Sequence, residues 1–246
     1  MAQRVAVVSG GIGGLGTAIC IALADMGCKV VAADLGGNAA RIAAFEAEVA
    51  GHDISFSPLD VTDREACTAL VRDIEQAHGS LDIVVNAAGI TRDSTLRKMD
   101  GAQWDAVLAV NLDGVFNLTR PALDGMLARG FGRSVNISSV NGQTGQFGQA
   151  NYAAAKAGMH GFTMSLAREV ARKGITVNSI SPGYCETAMV MAIPDDIRAG
   201  IVDQVPVGRL GKPEEIGRAV AFLAADDAGF ITGANIPVNG GLFISF

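Results

Sequence analysis

The stretch Arg4-Val5-Ala6-Val7-Val8-Ser9-Gly10-Gly11-Ile12-Gly13-Gly14-Leu15-Gly16 decides the fold. Arg4 to Val8 reads as a strand covered on both faces, because its apolar residues are consecutive rather than alternating. A helix from about Leu15 to Met26 follows, with Ile19, Leu23 and Met26 at helical spacing and Gly27 to end it. Between them lies a glycine turn. Gly10 permits a tight reversal there, and Gly13, Gly14 and Gly16 remove side chains where backbone must approach a ligand or the sheet. The helix beginning at Leu15 offers free N–H groups and the positive end of its dipole to a phosphate. A glycine turn alone is weak; its place between a first strand and a first helix favours a nucleotide over a purely structural bend.

Outward from this unit the pattern repeats. Strands are expected at Lys29–Ala33, Ile54–Leu59, Ile83–Val85, Ser134–Ile137, Thr176–Ile180 and Asn235–Val238. Helices are expected at Asn38–Ala50, from Asp63 to His78, over Asp100–Arg129, over Tyr152–Arg172 and from Pro213 to Ala224. Asp63 is placed to cap its helix, and Pro121 is expected to kink or divide the Asp100–Arg129 region. Repeated strand–helix alternation means an α/β chain with a Rossmann-like, doubly wound parallel sheet of about seven strands. No linker breaks it, so residues 1–246 read as one domain. Ligands of such sheets bind beyond the carboxyl ends of the strands.

Composition narrows the classes. The 246 residues are 49% hydrophobic, enough to bury a core, and apolar runs are far shorter than the roughly 20 residues of a membrane span. With 19 basic and 25 acidic residues the net charge is −6, which disfavours nucleic acid. Met1-Ala2-Gln3-Arg4 leads straight into the expected first strand, a pattern from which no signal peptide is expected. Cys20, Cys28, Cys67 and Cys185 show no metal or disulfide spacing, and His52, His78 and His160 are scattered. A cytoplasmic protein without a metal is expected.

The strand ends carry the chemistry. Asp34 ends the second strand; a carboxylate there accepts hydrogen bonds from a ribose and repels a 2′-phosphate, favouring NAD(H) over NADP(H). Arg41 is the counter-argument, since it can turn toward a 2′-phosphate. Asn86-Ala87-Ala88-Gly89 follows the fourth strand, and its small residues let a flat cofactor lie against the backbone. Ser139 follows the fifth strand. Tyr152 comes 13 residues later and Lys156 four beyond that, on one helical face. A phenol titrates near 10; a neighbouring ammonium lowers that and poises the group for proton transfer, while Ser139 can hold the same carbonyl oxygen.

Taken together, Ser9-Gly10-x3-Gly14-x-Gly16, Asn86-Ala87-Ala88-Gly89, Asn111, Ser139, Tyr152-x3-Lys156 and Pro182-Gly183 resemble the short-chain dehydrogenase/reductase family along essentially the whole chain. The resemblance implies that Tyr152 is the general acid/base and that Lys156 tunes it and binds the nicotinamide ribose. It implies that Ser139 orients the carbonyl and that Asn111 supports Lys156 through a relay water. It also implies cofactor contacts at Asp60, Val61, Pro182, Gly183 and Thr187. Ser9 stands where many members have Thr.

Within the family, Gly89-Ile90-Thr91-Arg92-Asp93 resembles 3-oxoacyl thioester reductases. The run from Val135 to Phe162, with Arg97-Lys98-Met99 and Trp104-Asp105, resembles the acetoacetyl-CoA reductases of polyhydroxybutyrate synthesis. That implies an acyl-CoA substrate and an (R)-3-hydroxyacyl-CoA product. Gln146, Phe147, Gln149 and Tyr184 are candidates to flank the acyl group, beside Ser139 and Tyr152. Most such reductases use NADPH, so Asp34 is a departure. The second half resembles 3-oxoacyl-ACP reductase equally well; that enzyme needs a basic docking surface, for which Arg129, Arg133, Arg168, Arg172 and Lys173 are candidates. A non-catalytic dinucleotide-sensing scaffold would carry a degraded catalytic set, whereas this chain has all four residues. The resemblance further implies a homotetramer, with the apolar end Leu242-Phe243-Ile244-Ser245-Phe246 at a subunit interface.

Overall fold

A computed structural model describes residues 3–244. Strand β1 (Val5–Ser9) is followed by α1 (Gly14–Asp25), β2 (Lys29–Asp34), α2 (Ala39–Glu48), β3 (Ile54–Pro58), α3 (Arg64–His78) and β4 (Ile83–Asn86). The chain continues with α4 (Gly101–Leu108), α5 (Gly114–Arg129), β5 (Gly132–Ile137), α6 (Asn141–Thr144) and α7 (Ala150–Val170). It ends with β6 (Ile175–Pro182), α8 (Ala188–Met191), α9 (Asp195–Asp203), α10 (Pro213–Ala224) and β7 (Asn235–Val238). The seven strands form one sheet in the order β3-β2-β1-β4-β5-β6-β7, every pairing parallel. The order reverses between β1 and β4, which places the ligand crevice over their carboxyl ends.

Strands β1, β2, β4 and β6 each feed two cores. Ala6 and Val8 of β1 face one side, with Ile19 and Leu23 of α1 and Ile216, Val220 and Leu223 of α10. Val5 and Val7 face the other, with Leu70 and Ile74 of α3, Leu118 and Met126 of α5 and Leu166 of α7. Consecutive apolar residues in the strands are therefore the signature of a sheet buried on both faces.

Helix ends follow local chemistry. The Asp63 carboxylate accepts from the N–H groups of Glu65 and Ala66 and starts α3, which Gly79 ends in the left-handed conformation. Asp100 and Gln103 form a reciprocal capping box at α4.

The Asp100–Arg129 region departs from expectation. Pro121 lies inside α5 without dividing it; Leu118, Ala122 and Met126 around it are fully buried and hold the helix on the sheet. The break falls upstream, where Ala109–Asp113 form a π-helical turn between α4 and α5. No proline or glycine lies within that turn, and the Gly114 that follows it continues into α5. Short helices α6, α8 and α9 were likewise not expected from the sequence. At the carboxyl end Leu242 and Phe243 are half-buried and Ile244 is exposed; Ser245 and Phe246, like Met1 and Ala2, lie outside the described residues.

The glycine turn is sterically closed. Gly10 sits at φ 67°, and a Cβ there would lie 2.8 Å from the Ala88 backbone. A Cβ on Gly16 would fall on the Gly10 carbonyl oxygen. Gly16→Ala is expected to lower unfolding free energy by at least about 2 kcal/mol, as overpacking of a rigid site does; urea denaturation checks it, and a variant as stable as wild type would show that the turn can open.

Candidate active site

A cleft of about 460 Å³ opens at the carboxyl ends of β1, β2, β4, β5 and β6. At one end lies the glycine turn. Helix α1 has no side-chain cap, so the N–H groups of its first turn are open to the cleft. A Cβ on Gly14 would meet the Thr187 methyl at 3.3 Å, so Thr187 closes over the bare backbone. Ser9 is buried, and its hydroxyl accepts the N–H groups of Ala87 and Ala88 at 3.2 and 3.3 Å. One side chain thus ties the turn after β1 to the loop after β4.

The far wall of that end is acidic. Asp34 accepts from the Leu35 N–H at 2.8 Å and from an Arg41 nitrogen at 3.3 Å. Its side chain is 13% exposed against 47% for Arg41. Asp60, Val61, Ala87, Gly89, Pro182, Gly183 and Thr187 line the same cleft as Gly10, Gly13, Gly14, Leu15 and Gly16. Such a trough of bare backbone, open helix N–H groups and a terminal carboxylate fits a dinucleotide.

At the other end Ser139, Tyr152 and Lys156 line the cleft together. Lys156 is buried on α7, and its ammonium nitrogen donates to the Ile137 carbonyl at 2.8 Å. It lies 5.6 Å from the centre of the Tyr152 ring. A methyl on Gly89 would meet Asn111 Oδ1 at 3.4 Å and Lys156 Nζ at 3.5 Å, so these three groups share one corner. Asn111 sits in the π-helical turn, fully buried, accepting from the Ile90 N–H and donating to the Ile90 carbonyl.

The chain matches the family model described as enoyl-(acyl carrier protein) reductase over residues 10–243. An acetoacetyl-CoA reductase of Allochromatium vinosum is 57% identical across 98% of this chain and 99% of its own length. The 3-oxoacyl-[acyl-carrier-protein] reductase FabG of Escherichia coli is 45% identical across 98% of both. The crystal structure of gox2181 superposes with a TM-score of 0.91 at 34% identity, covering 98% of this chain and 96% of that one. This chain belongs to the short-chain dehydrogenase/reductase family. It is an oxidoreductase of that family, whose members use NAD(P)(H).

Several residues singled out as short-chain reductase positions lie elsewhere than in the cleft wall. The Asn86 side chain turns into the protein, donating to Thr119 Oγ1 at 2.9 Å and Asn136 Oδ1 at 2.8 Å. Tyr184 lines a smaller neighbouring cavity with Val205, Val207 and Asn239. Gln146 is exposed, and Phe147 is 87% exposed. Gln149 has both ends of its amide engaged by protein groups. Conversely Ile90, Thr91, Val110 and Ala188 line the cleft although sequence reasoning did not name them as cofactor or substrate contacts. Ile90 and Thr91 directly follow Gly89 and were legible by adjacency. Val110 needed the π-helical turn. Among the described residues no cluster of His, Cys, Asp and Glu is placed to hold a metal ion.

The electrostatics differ from the simple tuning expected of this family. Burial lowers the Lys156 ammonium to about 7, and burial first, then Asp93 and Tyr184, raises Tyr152 against the opposing pull of the Ser139 hydroxyl. Desolvation of two buried groups outweighs the stabilisation of a phenolate by a neighbouring ammonium.

A lysine whose folded value lies near 7 and whose unfolded value lies near 10.5 binds fewer protons folded than unfolded between those limits. Wild-type stability therefore rises with pH across that window. Lys156→Met removes the penalty. Its expected gain over wild type is largest below pH about 7 and closes toward 10.5; denaturation midpoints of both proteins along a pH series check it, and a gain that grows with pH would contradict the assignment.

Proposed function

We propose that this enzyme reduces acetoacetyl-CoA to 3-hydroxybutyryl-CoA, with the (R) configuration that the family resemblance implies. The observation that carries this reading is the 57% identity, end to end, to an enzyme named acetoacetyl-CoA reductase, against 45% to the carrier-protein reductase. A bound nicotinamide dinucleotide supplies the hydride. The chain's own residues do the rest. Tyr152, held protonated at neutral pH by burial, delivers a proton to the carbonyl oxygen. Ser139 donates a hydrogen bond to the same oxygen, where negative charge develops. Lys156, titrating near neutrality with its nitrogen 5.6 Å from the centre of the Tyr152 ring, is the proposed source of the proton that restores Tyr152 between turnovers. Asn111 holds the Gly89–Ile90 backbone beside Lys156. Gln146, Phe147 and Tyr184 are the proposed neighbours of the acyl group.

The five basic residues considered as a carrier-protein docking surface are not gathered at the cleft. Arg129 is neutralised by Glu75 at 2.9 Å and Asp82 at 3.6 Å, and Arg133 is buried with its nitrogens on four backbone carbonyls. Arg168 lies sixteen residues along α7 from Tyr152, about 24 Å at helical rise, and Arg172 and Lys173 lie beyond it. None of the five belongs to the mouth of its own cleft.

We assign NADH preference to Asp34, whose carboxylate opposes a 2′-phosphate and whose partner Arg41 is held by that same charge. A homotetramer accords with exposed Phe116 on α5, Met164 on α7 and Phe222 on α10. A cytoplasmic location accords with four unpaired, buried cysteines.

Initial rates with acetoacetyl-CoA are expected to be higher with NADH than with NADPH, and Asp34→Asn should narrow the gap. Equal or reversed rates in wild type would return Asp34 to a turn-forming role. Turnover on carrier-protein thioesters but not on CoA thioesters would select the other reductase. Tyr152→Phe is expected to lose at least about a hundredfold in kcat, the usual contribution of a general acid; full activity would remove Tyr152 from the mechanism.

A further inference from the structure

A chain of hydrogen bonds leads away from Ser139. The backbone N–H of Asn141 donates to Ser139 Oγ at 3.1 Å. The Asn141 side-chain nitrogen donates to Gln149 Oε1 at 2.9 Å. Gln149 Nε2 donates to Asp93 Oδ2 at 2.8 Å. The orientation of the Gln149 amide is fixed by its neighbours. Reversing it would set an NH₂ against the Asn141 NH₂ and a carbonyl against a carboxylate.

The chain spans three segments: the loop after β4, the turn after β5, and the residue preceding α7. The backbone is arranged to bring them together. Gly145 and Gly148 adopt φ of 71° and 78°, letting the segment between Asn141 and Gln149 double back. The Ser94 N–H donates to the Gly148 carbonyl at 2.8 Å, and buried Asn151 donates to the Arg92 and Gln103 carbonyls, both at 3.1 Å.

A serine hydroxyl has one proton and two acceptor positions. The Asn141 N–H occupies an acceptor position on Ser139. The Ser139 proton is therefore directed away from Asn141, toward the cleft that Ser139 shares with Tyr152. We infer that Gln149 is a positioning residue, whose amide bridges Asp93 and Asn141 and thereby sets the direction in which the Ser139 hydroxyl offers its proton to the reacting carbonyl. The inference rests on the ketone-reduction reading above, and it replaces a direct substrate contact for Gln149, because both ends of the amide are already engaged.

The groups facing Tyr152 are Lys156 on its own helix, Ser139 after β5, Asp93 after β4 and Tyr184 after β6. Of these, Ser139 pulls the phenol downward, so a displaced Ser139 leaves Tyr152 titrating higher. The protein has two tyrosines, so a Tyr184→Phe background leaves Tyr152 alone to be followed by tyrosinate absorbance, without substrate or cofactor.

In that background Gln149→Leu is expected to raise the Tyr152 midpoint in the same direction as Ser139→Ala. The double variant should go no further than Ser139→Ala alone, since the two act through one hydroxyl. With Tyr184 intact and acetoacetyl-CoA as substrate, Gln149→Leu should lower kcat about tenfold, the scale of one lost hydrogen bond, with KM held within about twofold. Gln149→Met, closer in length and volume, repeats both measurements should the Leu variant fail to fold. An unmoved Tyr152 midpoint, or a raised KM at unchanged kcat, overturns the inference, the latter in favour of a substrate contact. Wild-type protein inactive on acetoacetyl-CoA would refute the substrate reading alone, because the titration still decides the role of Gln149.

Discussion

The approach of two backbone turns at the β1–β4 boundary is the constraint on which the site depends. Gly10 and Ala88 lie so close that a single Cβ on the glycine would collide with the neighbouring main chain. Ser9 locks that contact by accepting the Ala87 and Ala88 N–H groups. The sheet order reverses at this boundary, so helices leave in opposite directions and a crevice opens between them. Every later feature is placed relative to it: the open start of α1 on one side, the Gly89–Ile90 backbone on the other, and Asn111 beneath that backbone.

The Tyr152–Lys156 end of the cleft adds a second constraint, the burial of ionisable groups. Lys156 is fully enclosed with the Ile137 carbonyl as its hydrogen-bond acceptor, and Tyr152 is held nearby without a compensating charge of its own. Their titration is governed by desolvation before it is governed by each other. That arrangement raises the phenol above its ordinary value and brings the lysine down to near neutrality.

Polar networks hold this end in shape. Asn86, Thr119, Asn136 and Thr163 form a buried ladder between the sheet and helices α5 and α7. Asn151 pins the loop after β4 and the first turn of α4 to the start of α7. These amides are spent on structure, which explains why Asn86 belongs to the glycine-containing motif after β4 yet does not reach the cleft wall.

Much of this was legible in the sequence, because its causes are local. Unbroken apolar strands announced a doubly covered sheet, the glycine turn announced one end of the cleft, and Asp63 and Pro213 marked helix starts where α3 and α10 begin. The i,i+4 relation of Tyr152 and Lys156 needed only helical spacing. What remained hidden depends on contacts between distant segments. Pro121 carried a local instruction to break a helix, and packing of Leu118, Ala122 and Met126 overrode it. The π-helical turn that seats Asn111 has no local signal at all. The protonation preferences of Lys156 and Tyr152 follow from how much protein encloses them, and the ties of Gln149 to Asp93 and Asn141 from loops 56 and 8 residues apart meeting in space. Sequence alone determined the strands, most of the long helices and their order, since backbone propensity travels with each residue; only the tertiary structure decided burial, hydrogen-bond partners and charge state, since these belong to the space between segments.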